Sequence, residues 1–338
     1  MHNIQTRSID HKKFFLQKDQ LSRFEFLLKY AVLAPSSHNI QPWMFKINSN
    51  AVEIFLNKNR LLIHSDAQNR QAIISIGCAV ANLCLAAKAH GLTTIIKYTL
   101  ENSESLVTIN INGHPSELSS ENLRFLNIIT ERQNNRSKYT KESLNENFIK
   151  SATDQNGRQA KISFIIEEGA RQRLSSIILE ALRSAFSDKK FTSELAMWLR
   201  PSLPQYKDGL VGYNLGIPYL LSFLFPWIVR YLNTVSMQIK THEDLFKHTP
   251  AFGVVTTKDD SVASWLEAGE LYERIALIAQ SMELATAVLA APIERDNYCL
   301  TIQQLLNTDW RPQVIFRVGR PTATLPHSPR LSIEEVLI

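Results

Sequence analysis

Two apolar stretches, residues 72–89 and 265–284, can be laid over each other at one constant offset without a gap. Gly77 falls on Gly269, Leu83 on Ile275, Leu85 on Leu277, Ala87 on Ala279 and Leu92 on Leu284. A repeat of this kind restricts the chain to folds in which one unit occurs twice. The first stretch has few charges on any face, which predicts a buried central helix, stopped at Gly91. Each stretch follows a polar loop and precedes a strand, so the chain reads as two copies of one α+β unit. Its 338 residues exceed the usual size of one compact core.

Strands are predicted at 43–47 and 51–56, joined by the turn-forming trio Asn48-Ser49-Asn50, and at 93–100 and 106–111. Residues 113–123 read as a linker, with Ser119 capping a helix that begins near Glu121. The second half predicts strands at 161–167, 251–257, 286–289 and 314–318, and a helix at 170–187. The region 188–248 reads as long and irregular, and so as an insertion that covers something. Its most apolar part, 215–229, is too short to span a membrane and is interrupted by Pro218 and Pro226, which favours a buried or lid-like segment.

The net charge of +5 is spread along the chain without basic clusters interleaved with aromatics, which argues against a nucleic-acid partner. Cys78, Cys84 and Cys299 form no C-x-x-C pair and no even disulfide set, and no metal site is indicated. The first twenty residues carry Lys12 and Lys13 without a following apolar core, so they do not read as a secretory signal. A cytoplasmic protein is the expectation.

Residues 34–43, Ala-Pro-Ser-Ser-His-Asn-Ile-Gln-Pro-Trp, follow a predicted helix over 13–33 that has Asp19 or Ser22 as N-cap. Pro35 ends that helix and Pro42 holds Gln41 extended. Between them Ser36, Ser37, Asn39 and Gln41 offer donors and acceptors suited to a planar heteroaromatic ligand. The same composition also reads as a polar helix-to-strand turn. Further on, Arg132, Asn134 and Arg136 are spaced to share one face of an extended segment. Guanidinium forks at such positions suit a phosphate. Trp43, Phe45 and Trp265 read as core, and Cys78 and Cys84 as structural residues of the buried helix.

The loop resembles the signature loop of the FMN-dependent nitroreductase fold. The segment 132–139 resembles the Arg-x-Ser-x-Arg/Lys motif that opens a unit of that fold, whereas only Arg7-Ser8-Ile9 is remotely similar in the first half. Ala291-Pro292-Ile293-Glu294 resembles its Pro-Ile-Glu-Gly loop, with Arg295 where many members have Gly, and 327–337 resembles the family ending, in which a basic residue grips the phosphate. Taken in order, the matches look most like the Acg-type branch, which carries two units in one polypeptide.

The resemblance implies a nitroreductase-like α+β fold of two pseudo-symmetric three-layer units, 1–118 and 119–338, with a lid at about 188–248. It implies one FMN per chain, with Pro35, Ser36, Ser37 and Asn39 at the ring. Arg132, Asn134, Arg136, Glu294, Arg295 and Arg330 would come from the second unit, Arg132 and Arg330 meeting the phosphate and Arg136 the reduced ring. No residue is assigned as a catalytic acid or base. The implied activity takes hydride from NAD(P)H onto flavin N5 and reduces a small electron-poor acceptor by a ping-pong cycle. The rival is a flavin-storage protein whose lid and Arg295 occlude the ring. No membrane partner is implied, and the chain would be a monomer with an internal pseudo-dimer, or a homodimer.

Overall fold

The computed structural model describes residues 7–99, 104–294 and 298–338. Asp19 caps α1 (Gln20–Ala31) by accepting from the Ser22 amide, while residues His11–Leu16 form a separate 3₁₀ turn. The single helix predicted over 13–33 is therefore two elements, because the Asp19 cap gives the chain a fresh start. A hairpin follows, β1 (Trp43–Ile47) and β2 (Ala51–Leu56), then α2 (Arg70–Ala89), β3 (Thr93–Tyr98) and β4 (Ser105–Asn112). These strands form an antiparallel sheet in the order β1-β2-β4-β3. The predicted end of β3 at Leu100 lies outside the described residues.

The helix α3 (Ser120–Glu131) is capped by Ser119, and α4 (Glu146–Thr153) follows. The second sheet contains β5 (Ala160–Ile165), β8 (Ala251–Thr257), β9 (Ala285–Val288) and β10 (Arg311–Gly319), in the order β5-β8-β10-β9. Helix α9 (Val262–Ser281) connects β8 to β9, as α2 connects β2 to β3. Both sheets thus run first, second, fourth, third, with the long helix between the second and third strands. Helix α10 (Cys299–Leu306) precedes β10.

The helices α2 and α9 pack so closely that neither tolerates a side chain at its central glycine. A Cβ on Gly77 would lie 2.1 Å from the Leu266 carbonyl oxygen, and one on Gly269 would lie 2.0 Å from that of Ile74. Ile74 and Leu266 stand at the same spacing as Gly77 and Gly269, so the contact is reciprocal, as at a two-fold axis. One apolar core takes side chains from both sheets and both helices. Among the described residues α2 alone is long and apolar enough to cross a membrane, and it is the buried core of this packing.

Between β5 and β8, where the first sheet has only the hairpin turn, the chain inserts α5 (Glu168–Ser187), α6 (Lys189–Trp198), the short parallel pair β6 (Leu199–Arg200) and β7 (Leu210–Val211), α7 (Tyr219–Tyr231) and α8 (Val235–Phe246). The region read as irregular is largely helical. Pro226 lies inside α7 and Pro218 caps it, so prolines that resemble loop punctuation are accommodated at a helix start and within a helix. Of the two alternatives for 215–229, a buried or a lid-like segment, burial does not hold, since α7 buries only Ser222 and Val229.

Candidate functional site

The loop after α1 is strained. His38, Asn39 and Gln41 all have positive φ, at 50°, 55° and 52°, in the left-handed region that non-glycine residues seldom occupy, so Gln41 is not in the extended conformation that Pro42 predicts. Its hold comes from its own polar side chains. The Gln41 amide donates to Ser36 Oγ, Gln41 Nε2 donates to the Lys207 carbonyl, and Gln41 Oε1 accepts from the Leu331 amide. Gln41, read from sequence as a ligand donor, is fully buried and bound to protein groups. Asn39 is engaged at both ends, its Nδ2 donating to the Pro329 carbonyl and its Oδ1 accepting from Arg330.

This loop forms one wall of a cleft. Pro35, Ser36 and Asn39 face Arg132, Asn134, Arg136 and Arg330, so seven sequence-predicted residues share one space. The segment after α3 bridges to Thr286 at Asn134, and Asn135 turns away and donates to the Ala323 carbonyl, but the alternation is incomplete, since Gln133 lines the cleft beside Arg132 and Asn134. Asn134 Oδ1 accepts from Tyr272 Oη, and its amide nitrogen remains available. Arg136 is exposed and has no hydrogen-bond or ion-pair partner among the described residues.

Arg7, Gln133, Leu210 and Ser328 also line the cleft and were not predicted for it. Only Arg7 carried a signal, its distant likeness to the motif that begins at Arg132. The three buried arginines are anchored on carbonyls at helix ends, where cations are favoured. Arg7 Nη1 donates to the carbonyls of Thr130 and Arg132; Arg132 Nη2 donates to that of Leu33; Arg330 Nη2 donates to those of Leu33 and Ala34. Arg132 Nε also lies 2.9 Å from Glu273 Oε1, with side-chain exposures of 2% and 0%.

After these contacts Arg7 Nε, Arg132 Nη1, Arg330 Nε and His327 Nδ1 are buried without a hydrogen-bond partner among the described residues. Three guanidinium charges face the single carboxylate of Glu273. Burial, then Arg132, pulls Arg330 down to about 9; burial, then Arg330 and Arg132, lowers Arg7. His327 is held down to about 3 by burial and by the same arginines, so it is neutral. Buried cations in such excess call for an anion. The donor set fits a phosphate ester, the group by which FMN would be held.

Two predicted residues stand behind the cleft wall. Ser37 Oγ donates to Gln71 Oε1 at 3.3 Å, and Gln71 Nε2 donates to Glu294 Oε1 at 2.9 Å. Neither Ser37 nor Glu294 lines the cleft, because Gln71, at the start of α2, takes up both. Burial and the neighbouring Asp66 push Glu294 up to about 8. Asp66, itself raised by burial to about 6, accepts from the amides of Gln71 and Ala72. Arg295 lies outside the described residues. His38 Nδ1 is buried without a partner, and burial, then Arg136, lowers His38 to about 4.

The insertion grips the loop from outside. Gly209 N donates to the Asn39 carbonyl, and Asp208 accepts from both Arg60 and Arg200, at 2.6 and 3.1 Å. Both guanidiniums also lie 5.6 Å from the Trp198 ring. Farther along, buried Glu194 accepts from the amides of His64 and Ser65.

No protein-family model matches the chain. The Acg protein of Mycobacterium tuberculosis, provisionally named an NAD(P)H nitroreductase, is 26% identical over 326 residues, covering 91% of this chain and 93% of its own. An uncharacterized protein of the same species is 26% identical over 329 residues, 92% of each chain. Among solved structures, the FMN-dependent nitroreductase NfnB from Mycobacterium smegmatis in complex with NADPH aligns over 62% of this chain and 94% of its own, at 14% identity and a TM-score of 0.39. The chain is thus similar to Acg over almost the whole length of both proteins.

Proposed function

We propose that the chain is an FMN-dependent oxidoreductase of nitroreductase type, made of two fused units, 1–118 and 119–338, that arose by duplication and retain one flavin site between them. The observation that carries this reading is the set of unpartnered donors from Arg7, Arg132 and Arg330 beneath the strained loop. Those donors would hold the phosphate of FMN. The Ser36 hydroxyl, the Asn134 amide nitrogen and the Arg136 guanidinium line the rest of the cleft and are the groups available to the ring. A cation without a protein partner, such as Arg136, favours the reduced, anionic form of a flavin beside it.

A bound FMN would supply a two-electron carrier, taking hydride from NAD(P)H and passing electrons to a small electron-poor acceptor by a ping-pong cycle. The protein's part is to bind, orient and shield. Asn39 and Gln41 tie the loop to the C-terminal tail, so the two walls of the cleft are held together before a ligand arrives. Glu294 keeps its proton to about pH 8 and reaches the loop through Gln71 and Ser37.

The second reading, a flavin-sequestering protein, is favoured by the insertion's contacts on the loop at Lys207 and Gly209, and by Asp208, which pairs with Arg60, itself a donor to the Ile40 carbonyl of the loop. We take residues 188–248 as a lid. An anaerobic titration of flavin absorbance with NADPH and then NADH separates the readings. Bleaching by a nicotinamide, followed by reoxidation with a nitroaromatic or a quinone, is the expected outcome. Bleaching by dithionite alone would favour sequestration, and a protein that takes up no flavin would refute both.

A further inference from the structure

The outer face of α7 carries apolar side chains with nothing over them. Leu220, Phe223, Leu224, Trp227 and Tyr231 recur at helical spacing and are all exposed, Leu220 at 80% and Leu224 at 59%. Tyr219, Leu221 and Leu232 widen the face, and Met237 is exposed near the start of α8. Soluble monomers seldom show a contiguous apolar surface of this size.

We propose that α7 is an interfacial helix by which the protein lies on a membrane surface rich in anionic lipid. Three observations select lipid over a protein partner. At about 100° per residue, the exposed apolar positions sweep roughly 200° of the helix, twice the stripe that a packed helix would cover. A fluid acyl layer conforms to such a surface, whereas a rigid partner leaves its margins wet. Second, Tyr219 stands at one end and Trp227 and Tyr231 toward the other, residue types that settle at the headgroup level.

The third is charge. From Gly209 to His242 the chain has no Asp or Glu, while Arg230 and Lys240 are both exposed. Anionic headgroups complement that surface. With 13 residues α7 is about 20 Å long, too short to span, so it would lie in the plane of the interface. Leu210, which lines the arginine cleft, belongs to the same insertion as α7. The inference does not depend on what the cleft binds.

The test is flotation of the full-length protein with vesicles of phosphatidylcholine alone, and of phosphatidylcholine with about 30 mol% phosphatidylglycerol. The wild type should float with the mixed vesicles and more weakly with the neutral ones. Leu224→Glu with Trp227→Glu should lower binding by about tenfold or more, and Arg230→Gln should remove about fivefold of the preference for the anionic vesicles. Circular dichroism checks that the variants fold, and Leu220→Ser, at the most exposed position, reads the same face with a smaller change. Two results would overturn the proposal: a wild type that floats with neither vesicle, or variants that float as the wild type does. A wild-type dimer that Leu224→Glu with Trp227→Glu turns into a monomer, without vesicle binding, would assign the face to a second copy instead.

Discussion

Glu294→Gln tests whether the buried carboxyl behind the cleft holds its proton. The folded-state pKa of Glu294 is raised from 4.5 to about 8, first by burial and then by Asp66. Between those values the folded protein keeps a proton that the unfolded chain has lost, so stability falls as pH rises through that window. At 1.36 kcal/mol per unit, the displacement sets an upper limit of about 4–5 kcal/mol. Of that limit, about 2–3 kcal/mol is lost above about pH 6. The amide of the variant resembles the protonated acid and keeps an acceptor for Gln71 Nε2. Urea unfolding of the flavin-free proteins at about pH 6 and about pH 9 should therefore show the variant gaining about 2–3 kcal/mol on the wild type at the higher pH. Parallel pH profiles would refute the reasoning.

The reciprocal approach of α2 and α9 makes Gly77→Ala and Gly269→Ala equivalent in cost, each destabilising by about 3 kcal/mol or more, because the obstacle is a helix backbone carbonyl in both cases. Thermal unfolding of the two variants checks this, and a large difference between them would contradict the pseudo-two-fold packing. Asp208→Asn leaves Arg60 and Arg200 without their shared carboxylate, and cleavage of the insertion by a non-specific protease should quicken by about tenfold. Arg7→Gln should weaken FMN binding about tenfold or more while leaving riboflavin binding unchanged, as measured by quenching of flavin fluorescence.

Much of the strand pattern was legible: β1 and β2 flank the Asn48-Ser49-Asn50 turn, and β8 is a short run buried along its whole length. The helices α4 and α10 were missed because eight residues give barely two turns of periodicity. The insertion was misread for a different reason. Pro218 and Pro226 punctuate it like a loop, yet contacts among α6, α7 and the rest of the insertion override propensity. In the cleft, Arg132, Asn134 and Arg136 were legible from their spacing. The convergence of Arg7, Arg132 and Arg330 was not, since it joins three distant parts of the chain and depends on carbonyls at the ends of α1 and α3. The withdrawal of Gln41 from the ligand side was hidden similarly, because Lys207 and Leu331, which bind its side chain, are remote in sequence.

The most direct test of the cleft's assignment is to compare FMN with riboflavin on the flavin-free protein by isothermal titration calorimetry. Three unpartnered guanidinium donors, each contributing about 1.5–3 kcal/mol to a phosphate, predict FMN binding at least about a thousandfold tighter than riboflavin. Equal affinities for the two, or no binding of FMN, would contradict a phosphate at Arg7, Arg132 and Arg330.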